Sequence, residues 1–259
     1  VAVLVLTVLP LLSMLSAALQ PPGTVPLGLQ WPSDPHWENF AEAFRVARLP
    51  ALLASSSVIV LGVVPVALMF ATLAGYALGR LRVPGSRWVL VVLVLGLTVP
   101  FESITTPLYY QVRALGLLNT PWAIILPLVG LLMPFAVIWM HAHFRGVPAE
   151  LAEAARVDGA SWWQELVRVQ LPLARPALSA LAILLFLWTW NQYLLAIVLV
   201  DDPLKRTMAG ALGAFQGEYG TDLVLLSAGT LLIITPTIVV FLIFQRQFVR
   251  ALLQGAVKG

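Results

Sequence analysis

The dominant pattern along the chain is a series of long stretches without formal charge, separated by shorter polar segments. A bilayer core about 30 Å thick takes roughly 20 apolar residues of helix. The stretches fall at 1–19, 49–79, 88–112 (interrupted only by Glu102), 114–144, 177–200 and 223–245. They predict an all-α membrane protein with six transmembrane helices. The spans are drawn at 1–19, 51–75, 88–110, 119–142, 177–200 and 223–245, in a single domain covering 1–259. A signal peptide is the alternative for the first stretch. It would need a basic n-region and a small-residue cleavage site, and the charge distribution below favours a span. The sequence opens on Val rather than Met, so residues ahead of Val1 are expected.

Composition agrees with lipid as the main solvent. Of the 259 residues, 60% are hydrophobic and only 10% charged, against about 25% charged in an ordinary soluble domain. The formal charge is +3 without any Lys/Arg-rich run, so nothing points to nucleic acid. With no cysteine, disulfides, thiolate metal sites and cysteine nucleophiles are excluded. The two lysines, Lys205 and Lys258, lie outside any G-x-x-x-x-G-K-[ST] sequence. No phosphate-cradling loop is therefore present, and no cofactor is expected in this chain.

Orientation follows from Lys and Arg near the span ends. With a cytoplasmic N-terminus, inside loops hold Arg80, Arg82, Arg87, Arg145, Arg156, Arg168, Arg175, Arg246, Arg250 and Lys258. Outside loops hold Arg45, Arg48, Arg113, Lys205 and Arg206. The bias predicts both termini inside. Pro21, Pro22, Gly23, Pro26, Pro32 and Pro35 make the first outside loop irregular. Residues 36–49 then read as a short amphipathic helix, and Val83-Pro84-Gly85 as a turn.

The longest inside loop, 145–176, carries the strongest signal. Pro148 suits a first helical turn, and Glu150 to Ala155 are helix formers with acids near the positive dipole end. Gly159 stops that helix. Ser161 and Gln164 match a capping box that opens a second helix running to about Val169. Pro172 and Pro176 then frame the return to the fifth span. Helix, bend, helix supports two readings equally on physical grounds. One is a docking element whose small Ala154 and Ala155 admit close approach. The other is an interfacial amphipathic helix with Trp162 and Trp163 at the headgroups.

Here the residues become recognisable. Glu153-Ala154-Ala155, Gly159, nine further residues and Val169-Gln170-Leu171-Pro172 resemble the EAA loop of ABC-importer permeases, E-A-A-x-x-x-G-x9-I-x-L-P, with Val for Ile. Flanking segments resemble the MalG-like sugar permeases: Leu78 to Gly85 (LGRLRVPG), Leu115 to Thr120 (LGLLNT), Trp190-Asn191-Gln192-Tyr193 where the family shows W-N-D-[FY], and the terminal GAVKG at 255–259. The resemblance covers nearly the whole chain. It implies the type I ABC-importer permease fold, with Glu153, Ala154, Ala155, Asp158 and Gly159 forming the cytoplasmic coupling helix that docks on a separate ATPase. It further implies a second permease subunit in a heterodimer, a dimer of ABC ATPase subunits binding ATP and Mg, an extracytoplasmic solute-binding protein, and a bacterial cytoplasmic membrane location. The implied cargo is a carbohydrate; a polyamine or glycerol phosphate is the alternative.

Candidate substrate-path residues follow from their chemistry. Glu102 at membrane depth is costly unless paired, neutral or hydrated; it either faces the path or is satisfied inside the bundle. Trp188, Trp190, Asn191, Gln192 and Tyr193 combine aromatic faces with amides, which suits sugar binding and equally suits helix packing. Tyr109, Tyr110 and Gln111 end the third span and read as interfacial-belt residues, with substrate contact as the alternative. His141 and His143, at i and i+2, point apart on a helix and do not suggest a shared metal. A membrane-embedded enzyme would need a paired intramembrane Asp, a His with Ser or an H-E-x-x-H, and none is found. A channel or secondary transporter would not need the EAA loop.

Overall fold

The computed structural model describes the backbone of residues 2–217 and 220–256, with side chains at 6–213, 215 and 221–245. The side chains of Arg246 and Arg250, those of the GAVKG end at 255–259, and the backbone of 257–259 lie outside the described residues. The elements in order are helices α1 (Ala2–Ala18), α2 (Glu38–Val46), α3 (Leu49–Arg80), α4 (Ser86–Thr98), α5 (Thr105–Ala114), α6 (Trp122–Gly146), α7 (Ala149–Val157), α8 (Trp162–Glu165), α9 (Leu171–Trp190), α10 (Leu194–Leu199) and α11 (Leu223–Ala256). A two-residue hairpin pairs Gln216–Gly217 with Gly220–Thr221.

Four helical runs are long and apolar enough to cross a membrane: Leu49–Arg80, Trp122–Gly146, Trp162–Trp190 and Leu223–Gln245. A bent pair, Ser86–Thr98 with Phe101–Ala114, makes a fifth if the two halves are one span, and Leu6–Ala18 is an apolar helix shorter than a span among the described residues. These are the six regions of the sequence reading, but two differ from it in form.

The third is not one straight helix over 88–110. Its two halves meet at 94°. Val99 and Pro100 are both extended, with ψ of 121° and 128°. Pro100 supplies no N–H and its ring disfavours α geometry at Val99, so the helix ends at Thr98. It restarts through a 3₁₀ turn, Phe101–Ile104, that carries Glu102.

The fifth is displaced from 177–200. Helix is continuous from Trp162 to Trp190, so Pro172 and Pro176 lie inside it rather than ahead of it. A π turn at Leu166–Gln170 makes this possible. The Leu171 N–H donates to the Leu166 carbonyl, five residues back. That wider turn sits where the Pro172 ring would crowd a normal α turn. At the other end, Asn191 to Tyr193 leave the helix. The Gln192 Oε1 accepts the Leu195 N–H at 3.2 Å, and its backbone carbonyl accepts the Thr207 hydroxyl at 2.6 Å.

The chain forms two compact units. The first comprises 1–58, 118–121 and 190–240. Asn39 Nδ2 donates to the carbonyls of Ala18 and Gln20, both at 2.9 Å, tying α2 to the end of α1. Asn119 adopts φ +62°, and its Oδ1 accepts the N–H groups of Asp201 and Asp202 at 2.6 and 3.1 Å. Ser56 Oγ accepts the Met208 N–H at 2.7 Å.

The second unit comprises 59–117, 122–189 and 241–259. Its core gathers Ala67, Ala71 and Tyr76 of α3, Ala136, Met140 and Phe144 of α6, and Leu181 and Leu185 of α9. Small residues let helices approach closely where lipid supplies no hydrophobic drive. A Cβ on Gly75 would lie 2.6 Å from Met140 Cβ and 2.8 Å from the His141 backbone nitrogen. A Cβ on Gly62 would meet only the side chain of Ile125, its Cδ1 at 2.6 Å. Gly75→Ala should therefore destabilise the protein by about 1–3 kcal/mol through overpacking. Gly62→Ala should cost less, because Ile125 can rotate away. Thermal unfolding of the two variants in detergent orders them; equal losses would remove the backbone contact as the cause.

Candidate functional site

The site is the elbow between α6 and α9, and its local geometry follows from a few residues. Pro148 takes φ −53° and ψ 137°, standing as the cap ahead of α7 rather than inside its first turn. The carbonyls of Val147 and Pro148 accept Nη2 of Arg80 at 2.8 and 3.2 Å, which fastens the start of α7 to the end of α3. Gly159 has φ +79°, the left-handed conformation that glycine adopts without Cβ strain. Its N–H donates to Arg156 O at 3.0 Å, and the Ala160 N–H to Ala155 O at 2.9 Å. This pair of bonds is the Schellman motif. The capping box is present: Ser161 N–H donates to Gln164 Oε1 at 2.8 Å and Gln164 N–H to Ser161 Oγ at 3.3 Å.

The two arms are locked by groups that sequence reading did not single out. Arg156 Nε on α7 donates to Glu165 Oε2 on α8 at 3.0 Å. Glu165 is fully buried. Gln170 Nε2 donates to its other oxygen at 3.3 Å, and the Tyr76 hydroxyl donates to Trp162 O at 3.2 Å. The available signal was an Arg and a Glu nine residues apart across a glycine bend, which no helical period would flag.

The outer face of α7 is open. Ala152 is buried and anchors the helix, while Glu153, Ala154, Asp158 and Gly159 are exposed and Ala155 is half-buried. Leu151 and Val157 are exposed too, Val157 at 87%. Leu151, Ala154 and Val157 recur every three residues and share one side of the helix. The elbow thus shows a shallow apolar strip edged by Glu153 and Asp158. Leu151 and Val157 extend the strip beyond the residues that the EAA resemblance names.

The substrate-path candidates separate by environment. Glu102 is exposed on the 3₁₀ turn at the break in the third membrane segment; its carbonyl accepts the Thr105 N–H, and its carboxylate makes no hydrogen bond among the described residues. Trp188 is partly exposed and meets Phe135 edge-on at 4.8 Å. Trp190 is buried, with its indole N–H 3.4 Å from Ile233 O. Gln192 caps α10 as described, whereas Asn191 and Tyr193 are exposed. Tyr109 and Tyr110 meet edge-on at 5.7 Å, with Tyr110 exposed. Among the described residues no cluster of His, Asp and Glu could hold a metal.

Comparison with known proteins agrees with this architecture. Residues 67–254 match the family described as "Binding-protein-dependent transport system inner membrane component". The trehalose transport system permease protein SugB of Mycobacterium tuberculosis is 36% identical over 97% of this chain and 92% of its own length. The diacetylchitobiose uptake system permease protein NgcG of Streptomyces coelicolor is 31% identical over 98% of this chain and 85% of its own. A crystal structure of a bacterial ABC transporter involved in import of the acidic polysaccharide alginate includes a chain of the same fold. It aligns with TM-score 0.79 and 24% identity, covering 95% of this chain and 92% of that one. The matched span, the full-length relatives and the shared fold make this chain a member of the binding-protein-dependent transport system inner membrane component family, an ABC-importer permease and not itself an enzyme.

Proposed function

We propose that this permease moves a carbohydrate, a disaccharide, oligosaccharide or sugar derivative, across the bacterial cytoplasmic membrane by alternating access. The observation that carries the cargo is the near full-length similarity to permeases named for trehalose and diacetylchitobiose. In this reading a solute-binding protein delivers the sugar outside. A second, different permease subunit completes the pathway, and a pair of ATPase subunits binds ATP and Mg. This chain, with no phosphate-binding loop in its sequence, contributes no hydrolysis. Both termini lie in the cytoplasm, as the Arg distribution favours.

The elbow is the mechanical joint of this scheme. Glu153, Ala154, Ala155, Asp158 and Gly159 seat in a cleft of the ATPase, with Leu151 and Val157 adding apolar contact. The Arg156–Glu165 pair and the Schellman bend support this role, because they make the two arms one rigid piece. Closure of the ATPase pair then reaches the fifth span as a rigid-body movement. Glu102, Trp188, Asn191 and Tyr193 are the exposed candidates for sugar contact. Trp190 and Gln192, engaged in local structure, contribute through the fold.

Three measurements test the scheme. Ala154→Trp should lower uptake of labelled oligosaccharide by about tenfold or more, equivalent to ~1.4 kcal/mol of docking. It should also reduce co-purification of the ATPase without changing the amount of permease in the membrane. Unchanged uptake and co-purification would remove the elbow from coupling. Arg156→Ala should destabilise the elbow by about 1–3 kcal/mol by stranding the buried carboxylate. Adding Glu165→Gln should restore part of that loss, read as resistance to proteolysis between α7 and α9. Glu102→Gln should alter uptake rate or sugar preference with assembly intact; identical kinetics for every transported solute would remove Glu102 from the path.

A further inference from the structure

We infer that the second unit carries a binding groove for an anionic glycerophospholipid, lined by residues other than the sugar-contact and coupling candidates. The groove, about 450 Å³, runs along α4 and is walled by the ends of α3 and α6. Its floor is one stripe of α4: Arg87, Leu90, Val91, Val94 and Leu95. These positions recur every three or four residues and form a single helix face. The opposite wall brings Leu78 of α3 and the i, i+4 pair His141 and Arg145 of α6.

The order of chemistry along the groove selects its occupant. Arg87, Arg145, His141 and Ser86 cluster at the end formed by the start of α4 and the last turns of α6, and the apolar residues follow along α4. A cationic mouth leading into an apolar trough matches a phosphodiester headgroup followed by an acyl chain. Guanidinium groups bind phosphate with paired hydrogen bonds. Basic pockets between membrane helices at the bilayer surface are where anionic headgroups bind. Neither the Arg87 nor the Arg145 guanidinium has an ion pair or hydrogen bond among the described residues, so both charges are available. The rest of α4 is suited to lipid contact: it buries no residue and exposes Trp88, Val89 and Val92. A peptide occupant would need acidic groups for the two arginines and would meet only a short apolar trough. A lipid supplies both parts in one molecule.

The test uses the complete transporter, purified with its partners and placed in nanodiscs of mixed phosphatidylglycerol and phosphatidylcholine. Native mass spectrometry during stepwise delipidation should retain one phosphatidylglycerol per copy of this chain. Excess inorganic phosphate should not displace it. Arg87→Gln combined with Arg145→Gln should weaken retention about thirtyfold, the effect of two surface cations. A photoreactive benzoylphenylalanine in place of Val94 should form adducts of lipid mass, and this readout serves if the double variant does not assemble. Equal retention of phosphatidylcholine, displacement by phosphate, unchanged retention in the double variant, or cross-linking of position 94 to a protein partner would each overturn the assignment. None of these readouts depends on which solute is carried.

Discussion

Glu165 is the only fully buried carboxylate among the described residues, and the elbow is organised around it. An ionised carboxylate removed from water persists only when charge and hydrogen bonds replace the lost hydration. Here Arg156 supplies the charge from one arm and Gln170 a hydrogen bond from the other. Arg156 is about half exposed, so its own guanidinium remains partly hydrated while it neutralises a dry partner. The pair therefore fixes the angle between the arms at little cost to Arg156 itself. Arg80 adds a second attachment by holding the carbonyls just ahead of α7. Charge satisfaction thus joins the Schellman bend, the capping box and the buried Ala152 in giving this segment its shape.

The same need for satisfied polar groups explains how membrane helices break. Within lipid, a backbone N–H or carbonyl released from a helix must find another partner. At the end of α9, Gln192 provides one with its side chain and presents its carbonyl to Thr207. Asn119 does similar work at the turn beyond α5, where its side-chain oxygen takes two backbone N–H groups at once. Asn is well suited there, since it tolerates positive φ better than most residues. The polar residues in these hydrophobic segments are thus not all candidates for cargo; several serve the backbone around them.

Local chemistry was the most legible part of the sequence. Gly159, Ser161 and Gln164 act within a few residues of themselves, so their bend and cap could be read directly. The six apolar regions were legible because lipid demands length and composition. Helix continuity was harder. Pro100 and Pro172 are both prolines in apolar surroundings, yet one ends a helix and the other is absorbed by a π turn. The difference lies in what precedes each: Val99 takes the extended conformation, whereas the turn before Pro172 widens. The Arg156–Glu165 pair was not legible, because it closes across a bend that sequence periodicity does not cross. Trp190, attractive as a sugar platform by type, is buried with its N–H facing Ile233, a fact that only packing reveals.

The π turn at Leu166–Gln170 also gives a physical meaning to the nine residues that separate Gly159 from Val169. Each residue added to or removed from a helix turns everything beyond it by about 100°. The extra residue in the wide turn sets the rotational phase of α9 relative to the elbow, and Pro172 pins where that turn can sit. An insertion or deletion between the bend and the proline would leave every helix intact, yet swing the fifth span's inward face toward lipid. Gap length in this segment thus acts as a timing mark for the helix, setting its phase as surely as Gly159 sets the bend.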